Sequence, residues 1–181
     1  MSPGAARVLV IGYGNPGRLD DGLGPALAAA LEELKLPGVT VEANYQLTVE
    51  DAREIAEHDV VVFADASLTG PAPFSFRRIE PKAGSHFSSH IVAPEGVLAL
   101  AHELFGAKPE AYVLGIRGYV FDEFGESLSE RARANLAGAL EFLQNVVGKR
   151  SFREAEAKIK KQSVVETIPS NGVGPCTKES T

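Results

Sequence analysis

An unbroken apolar run that opens directly into a glycine-rich, doubly acidic turn constrains this chain more than any other feature. The stretch reads Val8-Leu-Val-Ile-Gly-Tyr-Gly-Asn-Pro-Gly-Arg-Leu-Asp-Asp-Gly-Leu-Gly24. Apolar residues without alternation suit a strand buried on both faces, the habit of parallel sheets. Such a strand hands its next residues to the carboxyl end of the sheet, where open α/β folds keep their ligand sites. Glycines 12, 14, 17, 22 and 24 let the backbone approach a bound group closely or take positive φ. Asp20 and Asp21 are neighbouring anions in that loop, and a bound cation is the simplest way to keep both ionised. A metal site is therefore the first expectation.

The same residues offer a rival. Gly12-Tyr-Gly14-Asn-Pro-Gly17 is a literal G-x-G-x-x-G after a strand, and Glu42 lies at the end of the next strand, as a ribose-binding acid would. A dinucleotide site needs its helix to start within the glycines, so that N–H groups face the pyrophosphate. Here Pro16, Gly17, Gly22, Gly24 and Pro25 delay the helix to about residue 23, and Asp20 and Asp21 point negative charge at a negative ligand. The nucleotide reading is the weaker one.

A chain of 181 residues holds one α/β domain with a full core. No apolar run approaches the ~20 residues of a membrane span, and no secretory apolar region precedes the first strand. The single Cys176 excludes an internal disulfide, which fits a reducing cytoplasm. A net charge of −6 argues against a nucleic-acid surface. Residues 149–181 hold seven Lys and Arg against four Glu, +3, leaving −9 on the rest. The expected organisation is a domain over residues 1–148 and a basic, mobile tail over 149–181, with a solvated helix at 151–161 and turn formers beyond.

Within the domain the elements alternate. Strands are expected at 7–12, 39–44 and 59–64, with helices at 23–34 and 49–57. The second helix starts at Thr48, with Asp51 three residues on as an unusual capping-box partner. A strand at 74–79 follows too closely to allow a crossover helix, so it is expected to run antiparallel to the one before it. A polar loop then leads to a helix between Pro94 and Gly106, a strand at 111–118, and a last helix running to about Val147. Ser127 and Glu130 read as that helix's capping box. The fold class is α/β: one domain, a mixed five-stranded twisted sheet with helices on both faces.

Three polar positions fall where these elements should converge. Asp21 lies in the loop after the first strand. Asp65 ends the buried run Val60-Val-Val-Phe-Ala64, where a carboxylate needs a partner or a task. His90 lies in the loop entering the third helix, with His86 competing for its role. Two carboxylates and an imidazole make a site suited to nickel, zinc or iron. Blander readings exist: Asp20 as a turn or N-cap residue, Asp65 as a turn cap with Ser67 and Thr69, and His90 as a solvated histidine.

These motifs, in order, resemble the hydrogenase maturation endopeptidases: Gly12-x-Gly14-Asn15, Asp20-Asp21-Gly22-x-Gly24, Asp65-Ala66, and Ser89-His90. The segment Ile116-Arg-Gly-Tyr-Val-Phe-Asp-Glu-Phe-Gly125…Leu128-Ser129 resembles them too, so the likeness spans about residues 6–147 and leaves out the basic tail. The resemblance implies removal of a C-terminal peptide from the large-subunit precursor of a nickel–iron hydrogenase after nickel insertion. It also implies that Asp21, Asp65 and His90 contact nickel held by the substrate, with nickel or zinc at the site. Asp20 is expected as general base if the carboxylates act directly, so Asp20, Asp21 and Asp65 form the catalytic set. The expected protein is a cytoplasmic monomer whose partner is that precursor. An inactive metal-binding or assembly-chaperone module of the same fold is the alternative.

Overall fold

The computed structural model describes residues 6–82 and 92–166. Strand β1 (Val8–Tyr13) leads through a 3₁₀ turn at Leu19–Gly22 into helix α1 (Leu23–Glu33), followed by β2 (Val39–Asn44) and α2 (Asp51–Ala56). Then come β3 (Val60–Ser67), β4 (Phe74–Ile79), α3 (Pro94–Phe105), β5 (Glu110–Arg117), α4 (Glu130–Lys149) and α5 (Phe152–Glu166). The sheet order is β2-β1-β3-β5-β4, parallel except for β4.

The apolar runs explain the layering. Val8, Val10, Val62, Leu114 and Ile116 enter one core with Leu23, Leu27 and Leu31 of α1 and Ala139 and Leu143 of α4. Leu9, Ile11, Val61 and Phe63, one residue out of phase, enter a second core with Ile55 of α2 and Val97, Leu98 and Ala101 of α3. Strand side chains alternate between faces, so a run without polar interruptions feeds both layers. Tyr13 and Asp65 continue the second phase to the carboxyl end of the sheet. Among the described residues no helix is long and apolar enough to cross a membrane.

Two local expectations change in tertiary context. Strand β4 does run against the direction of β3, but it bonds to β5, which slots between them. The apolar stretch of β5 between Glu110 and Arg117 suits it to the inside of the sheet, whereas Arg77 and Arg78 suit β4 to an edge. The last helix is capped by Ser129 rather than Ser127: its hydroxyl accepts from the Ala132 N–H at 3.3 Å. The reciprocal bond expected near Thr48 does form, with Asp51 Oδ2 accepting from the Thr48 N–H at 2.7 Å.

The segment after Lys149 also differs from a solvated helix. Arg150 takes a left-handed conformation that turns the chain, and its guanidinium donates to the carbonyls of Pro37 and Gly38. Phe152 is then buried in the α1/α4 core, stacked 5.6 Å from the Tyr112 ring. Arg153 makes two hydrogen bonds to Glu110, at 2.8 and 3.0 Å. Helix α5 thus packs on β4, through one aromatic anchor that a periodicity search over a charged segment does not register. Residues 167–181, with Cys176, lie outside the described residues.

Candidate active site

The sheet order reverses between β1 and β3, because β1 connects outward to β2 and the chain then returns to β3 on the other side of β1. At such a switch point the loops diverge and leave a crevice above the strand ends. Helix α1 comes very close to the floor of that crevice. A Cβ on Gly12 would lie 2.1 Å from the Gly24 carbonyl oxygen, and one on Gly24 would lie 2.2 Å from that of Tyr13. The two glycines serve close helix–strand packing. The helix begins at Leu23, well beyond the glycines, and Glu42 sits mid-strand opposite Ile11 rather than at a strand end. Neither meets the needs of a dinucleotide site.

Asp20 and Asp21, adjacent in sequence, have opposite surroundings. Asp20 is fully buried and accepts four hydrogen bonds: Tyr119 N–H at 2.8 Å, Val120 N–H at 3.0 Å, Ser129 N–H at 2.7 Å and Ser129 Oγ at 2.8 Å. Burial alone would raise its pKa, but the donors from Ser129, Tyr119 and Val120 together hold it below the ordinary carboxylate value. Asp20 is the residue that the sequence offers as general base. Its oxygens are committed to clamping the 118–129 loop, and a carboxylate so stabilised is a poor proton acceptor. The clamp extends through Leu19 N–H to the Gly125 carbonyl at 2.8 Å and Gly125 N–H to that of Gly17 at 2.9 Å. Leu19 takes a φ of 49° within it, a left-handed conformation that costs a non-glycine residue energy.

Asp21 turns the other way. One oxygen accepts from the Asn15 N–H at 3.0 Å, and the other has no hydrogen bond among the described residues. Gly14 makes this turn with a φ of 139°, and a Cβ there would meet the Asp21 carbonyl at 2.1 Å. Asp65, on β3 opposite Gly115, accepts from the Ala66 N–H at 2.7 Å. Burial pushes its pKa up to about 6, and the Asp21 charge adds to the rise, while the Ala66 N–H and the Tyr13 hydroxyl oppose it. The two carboxylates thus share one site.

Tyr13 is a site residue that sequence reasoning missed. Burial raises its own pKa, and the Asp65 and Glu95 charges add to the rise. Glu95 stands in the first turn of α3 and accepts from Arg77 at 3.2 Å. The signal was present in the strand alternation, which puts Tyr13 and Asp65 on one face of neighbouring strands. Two carboxylates, one with an uncommitted oxygen and one with a raised pKa, are groups that could donate to a cation. Among the described residues no three His, Cys, Asp or Glu side chains gather as a metal site. His90 and His86, expected to supply the third ligand, lie outside the described residues, as does Ser89.

No family model matches the chain, and no curated protein does. Solved structures do. The [NiFe] hydrogenase maturation protease HycI from Thermococcus kodakarensis KOD1 is 27% identical with a TM-score of 0.62, over 81% of this chain and 94% of that one. The hydrogenase 2 maturation peptidase from Thaumarchaeota archaeon SCGC_AB-539-E09 is 26% identical with a TM-score of 0.59, over 78% and 98%. The hydrogenase maturating endopeptidase HybD from E. coli, at 21% identity and a TM-score of 0.57 over 80% and 94%, shares the fold. The likeness takes in nearly the whole of each of these proteins. The chain shares its fold with hydrogenase maturation peptidases.

Proposed function

We propose that this protein is a cytoplasmic endopeptidase that removes the C-terminal peptide from a nickel–iron hydrogenase large-subunit precursor, after nickel insertion. The observation that carries this reading is the meeting of Asp21 and Asp65 at the switch point of a maturation-peptidase fold. In the proposed reaction the two carboxylates, with His90, face nickel that the substrate already holds. That nickel is part of the substrate, and its need for oxygen or nitrogen donors suits a carboxylate with a free oxygen. Peptide hydrolysis needs a polarised carbonyl and an activated water. Asp65, with a pKa near 6, exchanges its proton close to neutral pH and is the residue here best fitted to accept one from water. Burial keeps that proton affinity high and the Asp21 charge adds to it, while Tyr13 orients the Asp65 carboxylate.

The decisive experiment incubates the protein with precursor carrying nickel and, separately, with metal-free precursor, and follows the mass of the product. Release of one C-terminal peptide from the nickel-loaded form alone is expected. Equal cleavage of metal-free precursor, or of an unrelated unfolded protein, would make this a general protease. Tight binding without cleavage would favour the assembly-chaperone reading.

A further inference from the structure

Tyr119 holds two arginines that no acid of this protein answers. Its own position is fixed at both ends, by its N–H donating to Asp20 at 2.8 Å and its hydroxyl accepting from Asn135 of α4 at 3.1 Å. The Arg131 guanidinium lies 3.8 Å from the centre of the ring, and that of Arg117, the last residue of β5, lies 5.3 Å from it. Asn135 also donates to the Arg117 carbonyl at 2.8 Å, tying the strand end to the helix. An aromatic ring attracts guanidinium groups but carries no net charge, so both cations stay unneutralised.

Other arginines of the sheet are paired: Arg7 with Asp59, Arg77 with Glu95 and Arg153 with Glu110. Among the described residues neither Arg117 nor Arg131 has an ion pair or a side-chain hydrogen bond, and Nη1 of Arg117 is buried with no acceptor. A charged donor in that state costs stability, and in a native structure it asks for an explanation. Arg117 as a whole is only half-buried and Arg131 is exposed, so both stay open to an acceptor from outside. Their place points to its source. Arg117 is in register with Ser67, two residues beyond the pair Asp65–Gly115. One strand spacing across and two residues along make about 8 Å between the Arg117 and Asp65 backbones, which about two to three extended residues span. Asp122, Glu123 and Glu126 are exposed on the 118–129 loop and repel an acidic chain elsewhere along it.

We infer that Arg117 and Arg131 form a carboxylate subsite, which takes an Asp or Glu side chain of the precursor within about three residues of the cleaved bond. This rests on the proposed function and adds a register to it. An acidic side chain gains charge-assisted partners beside Tyr119 and meets like charge on the rest of the loop, so one placement of the peptide in front of Asp65 is favoured over its neighbours.

The test measures steady-state processing of nickel-loaded precursor by the parent, Arg131→Gln, Arg117→Gln/Arg131→Gln and, as control, Arg133→Gln, an exposed arginine on the same helix. Each is also given a precursor whose Asp and Glu within about three residues of the cleaved bond are changed to Asn and Gln. On the natural precursor the double variant is expected to raise KM at least tenfold and Arg131→Gln about threefold, with kcat within twofold and the control at the parental value. On the neutralised precursor all four should share one raised KM. Arg117→Lys/Arg131→Lys should stay within about threefold of the parent, because the charge is kept and only the fork is lost. Should the double glutamine variant not fold, Arg131→Gln on the two precursors decides alone. Parental KM in the variants, an equal loss on both precursors, or a natural precursor without an acid in that window overturns the subsite. Sodium succinate alone is titrated against the arginine Nε–H signals in nitrogen-15 spectra. Saturable shifts, together with a parental KM indifferent to neutralisation, would assign the pair to a free carboxylate and overturn the peptide reading. A parent that does not cleave the nickel-loaded precursor overturns the proposed function itself, and the subsite with it.

Discussion

Asp20 and Asp21 share a peptide bond, and they show how differently one loop can use the same side chain. On the Asp20 side, four donors from the 118–129 loop and the start of α4 surround a buried anion. On the Asp21–Asp65 side, donors are few, an oxygen of Asp21 is left over, and burial, with the Asp21 charge adding to it, raises the proton affinity of Asp65. The first region contributes stability by satisfying charge. The second forgoes stability by leaving charge unsatisfied, which is the condition a binding or catalytic site needs.

The sharpest way to break this comparison is Asp20→Asn. The amide sets an N–H group against the N–H donors that face Asp20. Destabilisation of about 3–5 kcal/mol is expected in urea unfolding at pH 7, because the loss leaves buried donors unpaired. Asp20 has a depressed folded pKa, so its contribution is present above its ordinary value of 3.8 and is lost as pH falls through the lower folded value. A mild effect would mean that the 118–129 loop holds itself in place.

Helix α5 supplies a reference outside both regions. Ending the chain at Lys149 removes Phe152 from the core and the Arg153 pair from Glu110. A loss of about 3 kcal/mol is expected, the cost of emptying an aromatic site, with the pH profile of processing unchanged. Parental thermal stability after truncation would show that the helix only rests on β4.

Asp65→Asn should abolish precursor processing and yet not weaken the fold. The folded state binds the Asp65 proton up to pH about 6, against an ordinary value of 3.8. Its favourable contribution is therefore complete below 3.8 and is lost as pH rises through 6, where the anion is disfavoured. The asparagine protein should match the parent at pH 4 and exceed it by about 1 kcal/mol at pH 7.5, allowing for solvent screening. A variant less stable than the parent at pH 7.5 would remove the distinction between the two regions.

The smallest effect is expected from Tyr13→Phe. Loss of the hydroxyl removes a donor that lowers the Asp65 pKa, so the acid limb of the processing profile should move to higher pH. Stability should change by about 1 kcal/mol or less. A carbon-13 titration of the Asp65 carboxyl reads the shift directly, and an unmoved titration would show that Tyr13 only packs.

Much of the architecture is legible in the chain before any coordinates. The run Val60–Ala64 announces a strand buried on both faces, Pro94 and Gly106 bracket α3, and the delayed start of α1 separates this loop from a dinucleotide site. These signals are local: period, φ preference and hydrogen-bonding chemistry act over a few residues. Ser129 as the true cap was not legible, because its hydroxyl is chosen by Asp20, 109 residues away. Nor was the docking of α5, which depends on one phenylalanine meeting Tyr112.

The sequence by itself determined where most strands and helices lie and that the sheet is mostly parallel, and it singled out Asp21 and Asp65. Only the tertiary structure decided which of two adjacent aspartates is the clamp and which keeps an oxygen free of hydrogen bonds among the described residues. Both have the same chemistry and nearly the same neighbours along the chain. What separates them is the 118–129 loop, a hundred residues on, whose N–H groups reach one carboxylate and not the other. A carboxylate's role follows from how many donors surround it in space, and that count is set by packing rather than by local sequence.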